Sequence, residues 1–193
     1  MKRVCIFCGS QTGNRPIYLD IAQRMGHALT KRRLGLVYGG GGIGLMKVLA
    51  DAVLDTGGDV IGVIPKSLTT KEIAHDRVTD LRIVASMHER KALMADLADA
   101  FIALPGGYGT LEEFCEVVTW AQLGIHRKPC GILNVEGFYD HFLEHLDKKV
   151  KEGFLSPLNR SLVIEGNTPD RLLDTLASYV SPVHQNWMSG KET

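Results

Sequence analysis

Residues 100 to 116, Ala-Phe-Ile-Ala-Leu-Pro-Gly-Gly-Tyr-Gly-Thr-Leu-Glu-Glu-Phe-Cys-Glu, admit few folds. The uncharged apolar run 100 to 104 is the pattern of a strand buried on both faces of a parallel sheet, and Pro105 ends it. Gly106, Gly107 and Gly109 follow, then Thr110 with Glu113 three residues on, the spacing of a capping box at a helix start. Strand, glycine turn and helix in that order gather backbone N–H groups at the positive end of a helix dipole, a ready site for an anion such as phosphate.

Other stretches repeat the unit. Residues 3 to 8 read as a strand stopping at Gly9-Ser10, and Pro16 opens a helix to about Arg33 through Ile17, Ile21, Met25, Ala28 and Leu29. Residues 36 to 38 form a second strand before Gly39, Gly40, Gly41, Gly42 and Gly44, with a helix over 46 to 55. Gly39, Gly41 and Gly44 satisfy G-x-G-x-x-G. The next strand, 60 to 64, runs into Pro65-Lys66 with no acidic residue for a ribose diol, and Leu45 stands where a P-loop needs lysine. What remains is close backbone approach to a sugar or phosphate, which makes Gly9, Ser10, Gly41 and Gly42 candidate loop contacts.

A polar connector over 68 to 75 contains Glu72, and a fourth strand spans 81 to 85. Ser86 is the expected N-cap of a helix that carries Met87, Arg90, Lys91 and Met94 toward one region. The helix over 114 to 123 is apolar nearly all round, so it needs cover on both sides and predicts a homodimer through that helix. Strands over 129 to 135 and 162 to 165 and helices over 138 to 150 and 168 to 179 complete the chain. Seven apolar runs alternating with helices give an α/β fold, a doubly wound parallel sheet in one domain over 1 to 182, with sites at the carboxyl ends of the strands. Residues 183 to 193 read as a loose tail that Trp187 anchors in part.

The totals narrow the function classes. Lys and Arg (22) balance Asp and Glu (22), so no global field draws nucleic acid or an anionic membrane, and an anion site must be local. No stretch nears the roughly 20 apolar residues of a bilayer span, and Met-Lys-Arg leads straight into a strand, so a cytoplasmic protein is expected. Cys5 and Cys8 have a redox or zinc spacing, but residues three apart on a strand face opposite ways, and reduced core thiols are the better reading. No metal and no cofactor is expected.

Pro105-Gly-Gly-Tyr-Gly-Thr-Leu-Glu-Glu113 matches P-G-G-x-G-T-x-x-E, and Met87-His-Glu-Arg-Lys91 matches M-x-x-R-K. With Gly-Gly-Gly-x-x-Gly-Leu-Met and an opening strand that ends Cys-Gly-Ser, the chain resembles the LOG family over residues 3 to about 180. These are the cytokinin riboside 5'-monophosphate phosphoribohydrolases, often mislabelled lysine decarboxylases. The resemblance implies a Rossmann-like homodimer that hydrolyses the N-glycosidic bond of purine nucleoside 5'-monophosphates, AMP or its isopentenyl form, to free base and ribose 5-phosphate. It carries over Arg90 and Glu113 as the catalytic pair. As substrate contacts it carries Glu72, Lys91, the loop of Gly107, Tyr108, Gly109, Thr110, Leu111 and Glu112 to Glu113, and Thr119.

The residue chemistry agrees with that assignment. Breaking a ribosyl C–N bond passes through an oxocarbenium-like state that a carboxylate stabilises while it activates water, a role for Glu113. Arg90 keeps its proton at neutral pH, so it serves phosphate or transition-state charge and orients Glu113. Met87 suits a purine face. Glu112 and Glu116 read as helix-dipole and solvation residues. Two other readings stand beside this one. Lysine decarboxylation would need pyridoxal phosphate on a dedicated lysine, which the sequence does not show. A non-catalytic nucleotide or molybdenum-cofactor carrier shares the fold, but a carboxylate at the phosphate's own loop gives a carrier nothing. The preferred base and the biological role are left open.

Overall fold

The protein is described by a computed structural model over residues 1–69, 74–78 and 80–182. Glu72 and the tail with Trp187 lie outside the described residues. Seven strands, β1 (Arg3–Phe7), β2 (Gly35–Tyr38), β3 (Val60–Pro65), β4 (Asp80–Val84), β5 (Ala100–Ala103), β6 (Cys130–Leu133) and β7 (Val163–Gly166), form one sheet. The order is β4-β3-β2-β1-β5-β6-β7, and every neighbouring pair is parallel. The helices are α1 (Pro16–Lys31), α2 (Gly44–Asp55), α3 (Met87–Leu97), α4 (Tyr108–Gln122), α5 (Asp140–Lys151), α6 (Pro157–Arg160) and α7 (Pro169–Ala177). The doubly wound sheet expected from the sequence is observed, and among the described residues the short α6 is the α-helix not foreseen.

Alternation along β1 shows how the layers form. Val4, Ile6 and Cys8 enter a core with Met25 and Leu29 of α1, Leu49 of α2 and Leu172 of α7. Cys5 and Phe7 enter the opposite core with Met94 of α3, Phe114 of α4 and Leu143 of α5. The two cysteines therefore sit on opposite faces, as strand periodicity requires. β5 is buried throughout, which explains its lack of any polar residue.

Local chemistry sets the helix ends. Ser86 caps α3 by accepting from the Glu89 N–H at 3.1 Å, and the Glu89 carboxylate accepts from the Ala85 N–H at 2.7 Å. Pro16 and Pro169 occupy first-turn positions of α1 and α7. The capping box expected at Thr110 and Glu113 is not formed. Gly107 is the N-cap, with no side-chain cap bond, so α4 starts before Thr110 and is continuous to Gln122. The glycines let the chain turn tightly enough to begin the helix early, which buries Thr110 and turns Glu113 inward.

The direction in which successive strands are added reverses between β1 and β5. In open parallel sheets ligands bind outside the carboxyl ends of the strands at such a switch point. Here those ends are Cys8-Gly9-Ser10 after β1 and residues 104 to 109 after β5.

Candidate active site

Three glycine turns meet at the switch point. The Gly9 N–H donates to the Pro105 carbonyl at 3.1 Å, and the Gly9 carbonyl accepts from the Leu45 N–H at 3.0 Å. A methyl on Gly106 would overlap the Thr110 hydroxyl, and one on Gly44 would overlap the backbone of Ser10 and Gln11. These glycines let three loops touch.

Around this junction lies a cavity of about 190 Å3 lined by Cys8, Gly9, Ser10, Met46, Arg90, Gly107, Tyr108, Gly109, Thr110 and Glu113. A second, largely apolar cavity of about 240 Å3, reaching Tyr18 and Phe138, shares Gly9, Ser10 and Gly107 with it. A larger hollow of about 540 Å3 opens at the other end of the sheet, between Lys2, Arg33 and Asp59. It lies at the amino ends of β1 to β3, away from the switch point.

Arg90 and Glu113 form the floor of the 190 Å3 cavity. Arg90 Nη1 lies 3.0 Å from Glu113 Oε1, and both side chains are about nine-tenths buried. The rest of the guanidinium is held by backbone: Nε donates to the Val63 carbonyl at 3.1 Å and Nη2 to the Gly39 carbonyl at 3.4 Å. β2 and β3 thus fix the fork while α4 presents the carboxylate. A methyl at Gly39 would overlap Nη2, so the first glycine of the 39–44 turn makes room for the arginine. Burial, and then the Glu113 charge, push the Cys8 thiol well above its ordinary value, which keeps it neutral and poorly nucleophilic.

The cavity rim is the first turn of α4. The N–H groups of Tyr108, Gly109 and Thr110 precede the first intrahelical bond, Leu111 N–H to the Gly107 carbonyl at 3.3 Å. Methyls at Gly107 or Gly109 would meet nothing within 4 Å among the described residues. These glycines are therefore not required by internal packing.

Of the residues singled out from the sequence, Gly9, Ser10, Arg90, Gly107, Tyr108, Gly109, Thr110 and Glu113 come together here. Met87 stands beside Arg90, its sulfur 3.8 Å from Nη1, and is 40% exposed. Gly41 and Gly42 are not among the described residues that line the cavity, and Gly41 forms an isolated antiparallel bridge with Ala74. Leu111 packs against the core that holds Phe114. Thr119 is exposed about three turns along α4, its hydroxyl donating to the Cys115 carbonyl at 2.7 Å.

Lys91 also stays off the lining. Its ammonium donates to Glu112 at 2.5 Å and Glu116 at 3.1 Å. Burial alone would lower its pKa, but these two bonds outweigh it and hold it above the ordinary lysine value. Glu112 and Glu116, read from the sequence as solvation residues, are instead the clamp on Lys91.

Cys8 and Met46 line the cavity without having been singled out. Their signals were present, one residue before Gly9 and in the first turn after the 39–44 glycines. The carbonyls of Val63 and Gly39 carry no sequence signal, because any residue supplies one.

Among the described residues no cluster of three His, Cys, Asp or Glu is arranged to hold a metal ion, and no helix is long and apolar enough to cross a membrane. Among the described residues no lysine lines the cavity, and those that do line it do not fit a pyridoxal phosphate held as a Schiff base.

Residues 46–176 match the protein-family model described as "Possible lysine decarboxylase". A cytokinin riboside 5'-monophosphate phosphoribohydrolase of Arabidopsis thaliana is 53% identical over 190 residues, covering 98% of this chain and 89% of the relative. One of Oryza sativa subsp. japonica is 54% identical over 179 residues, covering 93% and 74%. Among solved structures, the molybdenum cofactor binding protein of Rippkaea orientalis superposes with a TM-score of 0.69 at 20% identity, covering 92% of this chain and 97% of that one. The molybdenum cofactor carrier protein of Chlamydomonas reinhardtii gives 0.69 at 18% identity, covering 92% and 99%. At those identities the structural likeness speaks for the fold alone.

Proposed function

This chain belongs to the LOG family, and we propose that it hydrolyses the N-glycosidic bond of purine nucleoside 5'-monophosphates, cytokinin riboside monophosphates and AMP among them. The observation that carries the reading is the buried Arg90–Glu113 pair at 3.0 Å, set on the floor of a cavity whose rim is a bare helix start. The phosphate sits on the N–H groups of Tyr108, Gly109 and Thr110, and the open space at Gly107 and Gly109 lets it approach. The ribose then lies over Glu113.

As the bond to the base lengthens, positive charge grows on the ring oxygen and anomeric carbon, and the Glu113 carboxylate stabilises it. The same carboxylate takes a proton from the attacking water, whose oxygen bonds to the anomeric carbon. The base departs with the bonding pair and is protonated from solvent, leaving ribose 5-phosphate. Arg90 stays charged throughout, held by Val63, Gly39 and Glu113, and keeps the carboxylate aimed. A phosphate carrier has no use for a buried carboxylate in the same cavity, which favours this reading over the carrier.

The test is incubation with AMP and with isopentenyladenosine monophosphate, resolving free base and ribose 5-phosphate by chromatography. Release of base from either is the expected result, and the two rates rank the substrates. Binding of AMP with no release of base would favour the carrier.

The protein acts as a homodimer through α4 in this proposal. Phe114, Val117 and Ala121 face the sheet, while Cys115, Thr119 and Leu123 face outward and Val118 and Trp120 are half-buried. A two-fold pairing would cover that outer face and lets Thr119 reach substrate on the partner. Cys115 reports on it: its thiol is expected to label slowly at concentrations where sedimentation shows a dimer, and faster on dilution to monomer. Equal labelling in both states would exclude this helix from the interface.

A further inference from the structure

The cavity floor depends on how α3 and α4 are set against each other, because α3 supplies Arg90 and α4 supplies Glu113. The two helices approach closely at few points, unlike the tightly packed α1 and α2. Side chains span the gap. Arg90 meets Glu113, and the next residue, Lys91, inserts between Glu112 and Glu116, which lie one turn apart on α4. Both Glu116 oxygens are 3.1 Å from Lys91 Nζ, one of them without solvent exposure, and the Lys91 side chain is only 10% exposed. A surface pair of this kind would be screened and worth little. Here the Lys91 end is sheltered, and the cluster adjoins the Arg90–Glu113 pair on both helices.

We infer that Glu116 is a positioning residue for the reaction: through Lys91 it locks α3 to α4 and so holds the Glu113 carboxylate on Arg90. Among the described residues neither Glu116 nor Lys91 lines the cavity, and Lys91 is held by the two protein carboxylates. The inference rests on the phosphoribohydrolase reading for its catalytic consequence, but its structural core can be measured without it.

The experiment compares the wild type with Glu116→Gln and Glu116→Asp. Gln keeps the shape and helix propensity of Glu116 while removing the charge that holds Lys91. The expected result for Glu116→Gln is a fall in kcat of about tenfold with KM for AMP within about twofold, because a small misplacement of a catalytic group is costly while the phosphate subsite is intact. Glu116→Asp, which keeps the charge on a shorter stem, should retain clearly more of kcat than Glu116→Gln. The second readout is the Arg90 Nε–H, which donates to the Val63 carbonyl from a buried site. Its resonance, assigned by its loss in Arg90→Lys, should exchange faster with solvent in Glu116→Gln.

Unchanged kcat in Glu116→Gln, or a raised KM with unchanged kcat, overturns the inference. If the wild type releases no base, the proposed function falls by itself and the exchange measurement decides. Faster exchange of the Arg90 signal in Glu116→Gln then supports the lock, and unchanged exchange overturns it.

Discussion

Glu113→Gln is expected to lower kcat for release of base from AMP by roughly a thousandfold or more while leaving the protein folded and able to bind AMP. The change removes one charge and no volume. Gln can still accept a hydrogen bond from Arg90, whose other bonds go to the Val63 and Gly39 carbonyls, so the guanidinium is not stranded. The stability cost is expected at about 1–3 kcal/mol, the usual range for weakening a charged hydrogen bond, or a few degrees in Tm. Binding of AMP should survive because the phosphate subsite proposed above consists of backbone N–H groups at the start of α4, which the substitution does not touch. Calorimetric titration of the variant with AMP and a chromatographic rate assay measure the two halves. A variant with near wild-type kcat would remove Glu113 from the chemistry and return it to a structural partner of Arg90.

That contrast is sharp because of where α4 begins. Thr110 and Glu113 have capping-box spacing, and under that reading Gln would substitute freely and nothing would be lost. The helix instead starts at Tyr108 behind Gly107, and the spacing that looks like a cap is the spacing that puts Thr110 and Glu113 on the buried side of the first two turns. The strand, the turn and the helix were all legible in residues 100 to 116, because uncharged runs, proline and glycine act through local sterics. The start of the helix was not, because three glycines allow more than one place to begin.

The same division holds elsewhere. Opposite faces for Cys5 and Cys8 followed from strand period alone, and both cores show it. Arg90 and Lys91 looked alike in sequence as adjacent cations on one helix. Successive helical residues point about 100° apart, so Arg90 reaches the cavity and Lys91 reaches α4. Only the position of α4, set by the packing of Phe114 and Val117 on the sheet, decides which carboxylate each one meets. Pairings across elements of this kind cannot be read from either element.

Gly44→Ala should be the most damaging single methyl in the site region, and the cause lies in the backbone. Gly44 has φ of 58°, where a β-carbon costs about 1–2 kcal/mol, and the added methyl would overlap the Ser10 carbonyl and the Gln11 nitrogen. Those atoms belong to the loop after β1 and cannot swing away as a side-chain tip does. Forcing the loop aside adds about 1–3 kcal/mol, so a total loss of about 2–5 kcal/mol is expected, on the order of 10 °C in Tm. The displaced loop carries Gly9 and Ser10 from the cavity wall, and kcat/KM should fall at least about tenfold in whatever fraction remains folded. Gly57→Ala supplies the control. Its φ of 75° imposes the same strain, nothing stands within 4 Å of the added methyl, and it lies in the turn after α2, away from the cavity. That variant should lose only the strain energy and keep its rate. If both variants lose the same stability and Gly44→Ala keeps its kcat/KM, then the last glycine of the 39–44 turn serves backbone conformation alone. If Gly44→Ala loses clearly more stability and its rate as well, the G-x-G-x-x-G spacing in this chain is a packing device. It seats the loop after β1 against the start of α2, and its resemblance to a dinucleotide fingerprint comes from the shared need for close backbone approach.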